Sequence, residues 1–408
     1  MKLLGIIAEY NPFHNGHFYQ LQKAKQMTKA DAVVVIMSGN FVQRGEPAIL
    51  DKWTRTHMAL CSGADIVIEL PVLYATASAE YFAYGAVKLL DEIGITDICF
   101  GSELGEIKPL QQIAQLLLEE PESFRKLLKQ ALESGISYAS ARSFALAQFY
   151  PAAKDILFQS NNILAVEYLK SLLKLNSAIR PHTIARKGSA YHDITLQPMA
   201  SATALRNAIS QNHVKEIKEQ IPPQCYAILQ QNIAQGKAPI FLEHFTEAFH
   251  YCIRTHSPES IKNIFEVKEG LENRIYKAFD TNYDINSIIS FIKSKRYTQT
   301  HIQRMLLHIL LQIQTQDIHL FCQSPSPYVR ILGFRREKQH LLSIFKNRLP
   351  LLTNVKQYQT ILDKNGQALF ALETKSTDIY FMASPNKIYH RLHQDFLQPM
   401  VMISPDKT

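Results

Sequence analysis

Over residues 1–100 short β-branched runs alternate with stretches whose apolar residues recur at helical spacing, and this alternation restricts the fold more than any other feature. Leu3 to Ala8 and residues 32–37, 65–68 and 97–100 read as strands, while residues 16–29, 51–62 and 79–93 read as helices. Strands joined in strict turn by helices predict an α/β fold: a Rossmann-like parallel sheet with helices on both faces. Ligands of such sheets collect outside the carboxyl ends of the strands, so the loops at 9–15, 38–48 and 101–103 should ring one pocket.

Further along, residues 107–149 are helical in pattern, with Pro121 opening a second helix, and residues 161–175 form another amphipathic helix. A short strand at 182–185, a loop at 187–199 and a helix starting at Ser201 follow. The break at Ile221, Pro222 and Pro223 suggests a boundary between a catalytic domain, 1–221, and a mainly α-helical, basic domain, 222–408, with a mixed tail after Pro325. A chain of 408 residues that is 46% hydrophobic can fill two or three cores.

No run approaches the roughly 18 apolar residues of a membrane span, and the stretch from Leu3 to Ala8 is too short for a secretion signal. Cys61, Cys99, Cys225, Cys252 and Cys322 lie far apart without a CxxC pair, which argues against a disulfide framework or a zinc ribbon. The expected compartment is the cytoplasm, with no metal site and no obligate protein partner. His244, His250 and Cys252 share one helical stretch, where packed side chains are commoner than ligands.

The chemistry concentrates in Glu9-Tyr10-Asn11-Pro12-Phe13-His14-Asn15-Gly16-His17, which follows a predicted strand and opens a predicted helix. A helix N-terminus exposes unpaired N–H groups and the positive end of the macrodipole, so a phosphate docks there. Gly16 lets a nucleotide approach the backbone. Imidazoles at His14 and His17 on that first turn can donate to oxygens around an α-phosphorus as pyrophosphate leaves. An H-x-G-H string alone would favour a turn decoration or a stray i,i+3 metal pair, and its position immediately after the first strand of an α/β domain turns the balance to the phosphate reading. A second cluster, Ser201-Ala202-Thr203-Ala204-Leu205-Arg206, places hydroxyls and a guanidinium at another helix start, suited to β- and γ-phosphates. Alone, Ser201 would be an ordinary N-cap.

The net charge is +8, and the cations are unevenly spread. Lys293, Lys295, Arg296, Arg304, Arg330, Arg335, Arg336, Lys338, Lys346 and Arg348 face only Asp317 and Glu337 in that interval, with Tyr297, Tyr328 and Phe334 interleaved. Such a stretch suits phosphate contacts beside stacking platforms, although a charge run is commonly just a solvated face. Ile302, Met305, Leu306 and Ile309 should pack inward, leaving Arg304 outward.

Taken together, these motifs resemble the bacterial tRNA(Met) cytidine acetate ligase family of the HxGH nucleotidyltransferase superfamily. The resemblance runs through Gly5-Ile6-Ile7-Ala8 into the HxGH segment, Ser38-Gly39-Asn40-Phe41-Val42-Gln43-Arg44-Gly45-Glu46-Pro47, Asp51-Lys52-Trp53, Gly63-Ala64-Asp65, Glu69-Leu70-Pro71 and Phe100-Gly101-Ser102-Glu103. It continues through Asn161-Asn162-Ile163-Leu164-Ala165, Arg186, Tyr191-His192-Asp193 and residues 201–206, then thins to Lys295-Arg296-Tyr297-Thr298, Arg304, Pro327-Tyr328, Arg330 and Leu332-Gly333-Phe334. The family pattern often has a histidine where Gln20 stands and an arginine where His301 stands.

The resemblance implies a two-step ligation in which acetate and ATP give acetyl-adenylate, whose acetyl group passes to the N4 amine of the wobble cytidine of elongator tRNA(Met). It implies catalytic roles for His14, His17 and Arg206, and an ATP site from Ile7 to Gln20, including Phe18 and Tyr19, with Gly101, Asn161, Arg186, Lys187, Ser201 and Thr203; magnesium would arrive with ATP. Gly101 could equally end a strand, Asn161 cap a helix, and Arg186 with Lys187 be a solvated pair. Lys52 and Arg55 read either as solvated helix charges or as substrate-facing groups. For tRNA the candidates are Lys295, Arg296, Tyr297, Arg304, Arg330, Arg335 and Arg336. Two rivals remain at this level: an HxGH transferase acting on a small phosphorylated metabolite, which would not need the second basic domain, and a non-catalytic RNA-binding factor, which would not need His14, His17 and Arg206.

Overall fold

The computed structural model describes residues 1–136, 138–186, 200–268 and 270–404. The expected alternation is present as β1 (Leu3–Ala8), α1 (Asn15–Thr28), β2 (Ala32–Ser38), the hairpin of β3 (Phe41–Val42) and β4 (Glu46–Pro47), α2 (Lys52–Cys61), β5 (Ile66–Leu70), α3 (Ala79–Glu92) and β6 (Asp97–Ser102). After further helices come α4 (Ser160–Lys174), β7 (Arg180–Ala185), α5 (Ala202–Ser210), α6 (Pro223–Ala234), α7 (Gln299–Leu311), β8 (Val329–Arg335), β9 (Leu351–Leu352), α8 (Lys364–Phe381) and β10 (Val401–Ile403).

Among the described residues the main sheet runs β10-β8-β5-β2-β1-β6-β7, with β9 beside β8. The strands from β5 to β7 are parallel. Period-two alternation divides the side chains between two cores. Leu3, Val34 and Ile36 enter one, against α3, α4 and the helices of the second half, while Leu4, Ile6, Val33 and Val35 enter the other, against α1, α2, α5 and α6. A sheet covered on both faces explains why β2 is buried along its whole length and reads as a continuous apolar run.

The boundary expected at 221–222 does not divide the sheet. Pro222 and Pro223 open α6, and the chain later returns to lay β8 antiparallel to β5, with β10 and β9 on β8. The physical reason is the sheet edge: without β8, β5 would expose a row of unpaired backbone groups. The tail therefore completes the first half's sheet, while residues 223–323 are mostly helical, as the pattern predicts.

Candidate active site

β1 ends in a tight turn that aims its successors into one cleft. Tyr10 takes φ 51 and the Asn11–Pro12 peptide is cis; a left-handed tyrosine is uncommon and persists only where the surroundings enforce it. Asn11 is held on both sides, its Oδ1 accepting from the Ile49 N–H at 2.8 Å and its carbonyl from the Arg206 guanidinium at 2.9 Å. The turn delivers His14 as the N-cap of α1, with Nδ1 accepting from the Gly16 N–H at 3.0 Å. A Cβ at position 16 would lie 2.8 Å from the imidazole Cε1, so the glycine is what allows this ring to fold back over the turn.

His17, one turn on, stacks against His14 with ring centroids 3.7 Å apart and planes 25° apart. Tyr10 and Phe13 pack around it at 5.0 and 5.7 Å. The His17 Nδ1 is buried with no partner. Burial, then the cationic Arg186 and Arg206, hold His14 down to about 3, and burial, then His14 and Arg186, keep His17 well below the usual imidazole range. Both rings are therefore neutral at pH 7, and because Nδ1 of His14 is an acceptor, its proton resides on Nε2, free to donate into the cleft.

The opposite wall is built by α5 and the β3–β4 hairpin. Ser201 caps α5, its Oγ accepting from the Ala204 N–H at 3.1 Å, so the ordinary capping role and the pocket-lining position coexist. Arg206 reaches Thr203 Oγ1 at 3.4 Å and Glu46 Oε1 at 3.0 Å, and Arg44 reaches the same threonine hydroxyl at 3.3 Å. Gly45 at the hairpin tip has φ 78, and a Cβ there would lie 2.2 Å from the Arg304 nitrogen: the hairpin is pressed against α7 with only hydrogen between. Glu9 lies behind it, Oε1 accepting from the Gln43 N–H at 2.9 Å. Burial raises its carboxyl above the usual range and nearby Glu46 adds to the rise, against the Gln43 N–H, Arg44 and Arg206.

On the third side, Gly101 at the end of β6 lies under the Arg186 side chain, whose Cγ would be in ordinary contact, 3.4 Å, with an added Cβ. The Arg186 guanidinium donates to Asn161 Oδ1 at 2.9 Å, the Asn161 amide donates to Glu103 Oε1 at 2.6 Å, and Glu103 accepts from the Asn162 N–H at 2.8 Å. Asn161, in the first turn of α4 and not its cap, which is Gln159, thus positions a cation.

One cleft is lined by Ile7, Ala8, Glu9, Tyr10, Asn11, His14, Gly16, His17, Tyr19, Gln20, Gly101, Asn161, Arg186, Ser201, Thr203 and Arg206. Pro12 and Phe13 are buried beneath the turn instead, Asn15 turns its amide to the Glu219 carbonyl at 2.8 Å, and Phe18 is 40% exposed on the outer face of α1. Lys187 and the loop to Met199 lie outside the described residues. Gln43, Arg44, Phe82, Phe100, Leu164, Tyr168 and Ile184 also line the cleft. Gln43 and Arg44 carried a signal, standing in a strand-end loop; Phe82, Leu164 and Tyr168 are helix residues that read only as core.

The basic stretch divides. Lys295, Arg296 and Arg336 are exposed, and Tyr297 stacks on His301 at 5.3 Å with the Arg296 guanidinium over its ring. Arg304 is not outward: it is 8% exposed and pairs with Glu266 at 3.2 Å. Arg330 is also buried, in contact with Glu69 and Asp395, and Tyr328 and Phe334 lie in the core rather than offering stacking faces. Arg335 is half-buried and donates to the Leu60 carbonyl at 2.7 Å and the Ala64 carbonyl at 3.2 Å, capping the end of α2. Lys52 and Arg55 are neither solvated nor substrate-facing. Lys52 is sealed against Glu69 and Asp395, and Arg55 donates to the carbonyls of Glu9, Ser38, Gly39 and Leu50, tying together the strand ends around the cleft. Strand β8 is packed on both faces, which is why its cations had to find buried partners.

A family model described as HIGH Nucleotidyl Transferase matches residues 1–395. The chain is 46% identical to the tRNA(Met) cytidine acetate ligase of Thermoanaerobacter sp. (strain X514), covering 99% of this chain and 100% of that protein. It is 42% identical to the protein of the same name from Acetivibrio thermocellus, over 99% and 100%. The crystal structure of Thermotoga maritima TmcAL bound with alpha-thio ATP superimposes with a TM-score of 0.93 at 35% identity, covering 99% of this chain and 100% of that one.

Proposed function

The chain belongs to the tRNA(Met) cytidine acetate ligases within the HIGH nucleotidyl transferases, and we infer from its own side chains how each half of the ligation is carried. The enzyme is an ATP-dependent ligase that activates acetate and acetylates tRNA(Met) cytidine. The observation that supports the assignment of residues is the convergence of His14, His17, Arg186 and Arg206 on one cleft at the carboxyl edge of the sheet.

In the first half, an acetate oxygen attacks the α-phosphorus of ATP, and the bond to the pyrophosphate oxygen breaks. His14 and His17 donate N–H bonds to the α-phosphoryl oxygens as charge gathers on them; as neutral rings in a desolvated turn they are placed to serve as donors, each worth about 10²–10³ in rate. Arg206, with Thr203 and Arg44, holds the leaving phosphates, and Arg186 steadies the nucleotide from the Gly101 side. In the second half, the cytidine N4 attacks the acetyl carbonyl carbon, AMP departs, and the N4 proton passes to Glu9, a buried carboxylate suited to accept it. Magnesium enters with the nucleotide, as the counterion of its phosphates. No helix among the described residues is long and apolar enough to cross a membrane.

Purified protein incubated with ATP, magnesium and labelled acetate, with and without tRNA, tests the assignment. Acetate-dependent pyrophosphate release with label recovered in tRNA is expected. Release only with a small phosphorylated acceptor, or none at all, would overturn it.

A further inference from the structure

Next to the ATP cleft lies a broader cavity of about 1210 Å³, and Gln43, Arg44, Leu164, Thr203 and Arg206 line both. From this common wall the cavity passes between α5, the β3–β4 hairpin, the 3-10 turn Leu242–Phe245 and the start of α7. The lining is rich in amides and hydroxyls, among them Asn207, Ser210, Asn286, Thr298, Gln299 and Gln303. Of the three arginines that line it, Arg206 pairs with Glu46 at 3.0 Å and Arg304 with Glu266 at 3.2 Å, while Arg44 donates to the Thr203 hydroxyl at 3.3 Å. Phe241 and His244 stand edge to face at 5.8 Å on one side. The exposed Lys295 and Arg296 lie on the chain just before Thr298, where the wall begins.

We propose that this cavity receives the unpaired nucleotides around the acceptor cytidine, gripping their base edges with amide and hydroxyl side chains while the cytidine itself passes the common wall to reach the acetyl group. The proposal rests on the ligase reading and locates its RNA. Three observations support it. The second nucleophile must arrive at a centre already enclosed by nucleotide, and this cavity opens onto that centre through Arg206 itself. Unstacked bases present mixed donors and acceptors, which amides and hydroxyls match in both senses, whereas a surface built for phosphates alone would be lined by unpaired cations. The exposed cations sit just outside, where a backbone flanking the bound bases would run.

The test uses the full-length enzyme, ATP, acetate and a synthetic anticodon stem-loop RNA. Asn207 and Ser210 are exposed on α5 and line this cavity but not the ATP cleft. In Asn207→Glu with Ser210→Glu, RNA-independent, acetate-dependent pyrophosphate release should stay within about twofold, while the KM for the stem-loop rises about tenfold or more. Gln299→Glu, on the far wall at the first position of α7, where a carboxylate suits the helix, should raise that KM in the same direction, and Gln299→Asn should largely spare it. If the α5 pair disturbs pyrophosphate release, the Gln299 variants decide. An unchanged KM in both sets would overturn the proposal, as would a KM rise for a small-molecule acceptor in place of RNA. Failure of the wild-type enzyme to label any RNA would instead remove the ligase reading.

Discussion

Two clusters of buried charge lie along the carboxyl edge of the same sheet and behave oppositely. Near β5 and β8, Lys52, Glu69, Arg330 and Asp395 form a closed ring: Lys52 is 2.7 Å from Glu69 and 2.9 Å from Asp395, and Arg330 is 2.9 Å from Glu69 and 2.5 Å from Asp395. Around β1 and α5, His17 is left with a buried, unpartnered nitrogen and Glu9 with a raised carboxyl beside an open cleft. A closed set of opposite charges ties the tail to the first half of the chain; groups left unsatisfied around a cavity are held ready for a ligand. Residue type does not distinguish the two: in the ring each charge lies against an opposite one, even where a single atom such as Asp395 Oδ2 lacks a hydrogen bond, whereas the cleft's unpartnered groups border open space.

The largest expected effect breaks the ring. Arg330→Ala should lower the unfolding free energy by about 3–5 kcal/mol, because it leaves the buried Glu69 and Asp395 with Lys52 as their one shared cation and so one negative charge uncompensated; urea denaturation measures it, and adenylation per folded molecule should change little. A loss of rate at full stability would place Arg330 in the chemistry instead. His17→Ala should do the reverse, cutting acetate-dependent pyrophosphate release about 10²–10³-fold with a much smaller shift in the melting temperature than the Arg330 variant.

A third acid, Glu373, adjoins the ring, and its Oε1 accepts from the Val72 N–H at 2.5 Å. Burial, then Glu69, push its carboxyl up to about 8 from an ordinary 4.5. The folded state thus keeps a proton that the unfolded chain has released, so the associated stability is full below pH 4.5 and is lost as pH rises through about 8. Glu373→Gln retains an acceptor for Val72 and should flatten the fall in melting temperature between pH 5 and 8; an unchanged slope would assign that fall to another group. The smallest effect belongs to the exposed stretch. Lys295→Ala should raise the tRNA KM a few-fold and reduce the salt dependence by about one counterion, with pyrophosphate release unaltered.

These two clusters also separate what could be read in advance. The HxGH turn was legible because its signal is local: a strand, then histidines at the first turn of a helix, within nine residues from Glu9 to His17. The loops that ring the cleft followed from the strand order. Arg304 and Arg330 were misread as surface cations because nothing near them in sequence announces Glu266 or Asp395. Phe82 and Tyr168 were missed because an aromatic residue on a buried helix face looks the same whether it borders a ligand or another side chain.

Sequence by itself determined the parallel α/β framework, the nucleotide-facing turn and the family, since strand period, helix starts and contiguous motifs are all short-range properties of the chain. Only the tertiary structure decided that the tail completes the first sheet, which cations are neutralised and where a second cavity meets the first. Those outcomes depend on side chains distant in sequence, such as Lys52 and Asp395, whose energies are settled only when both lose water together.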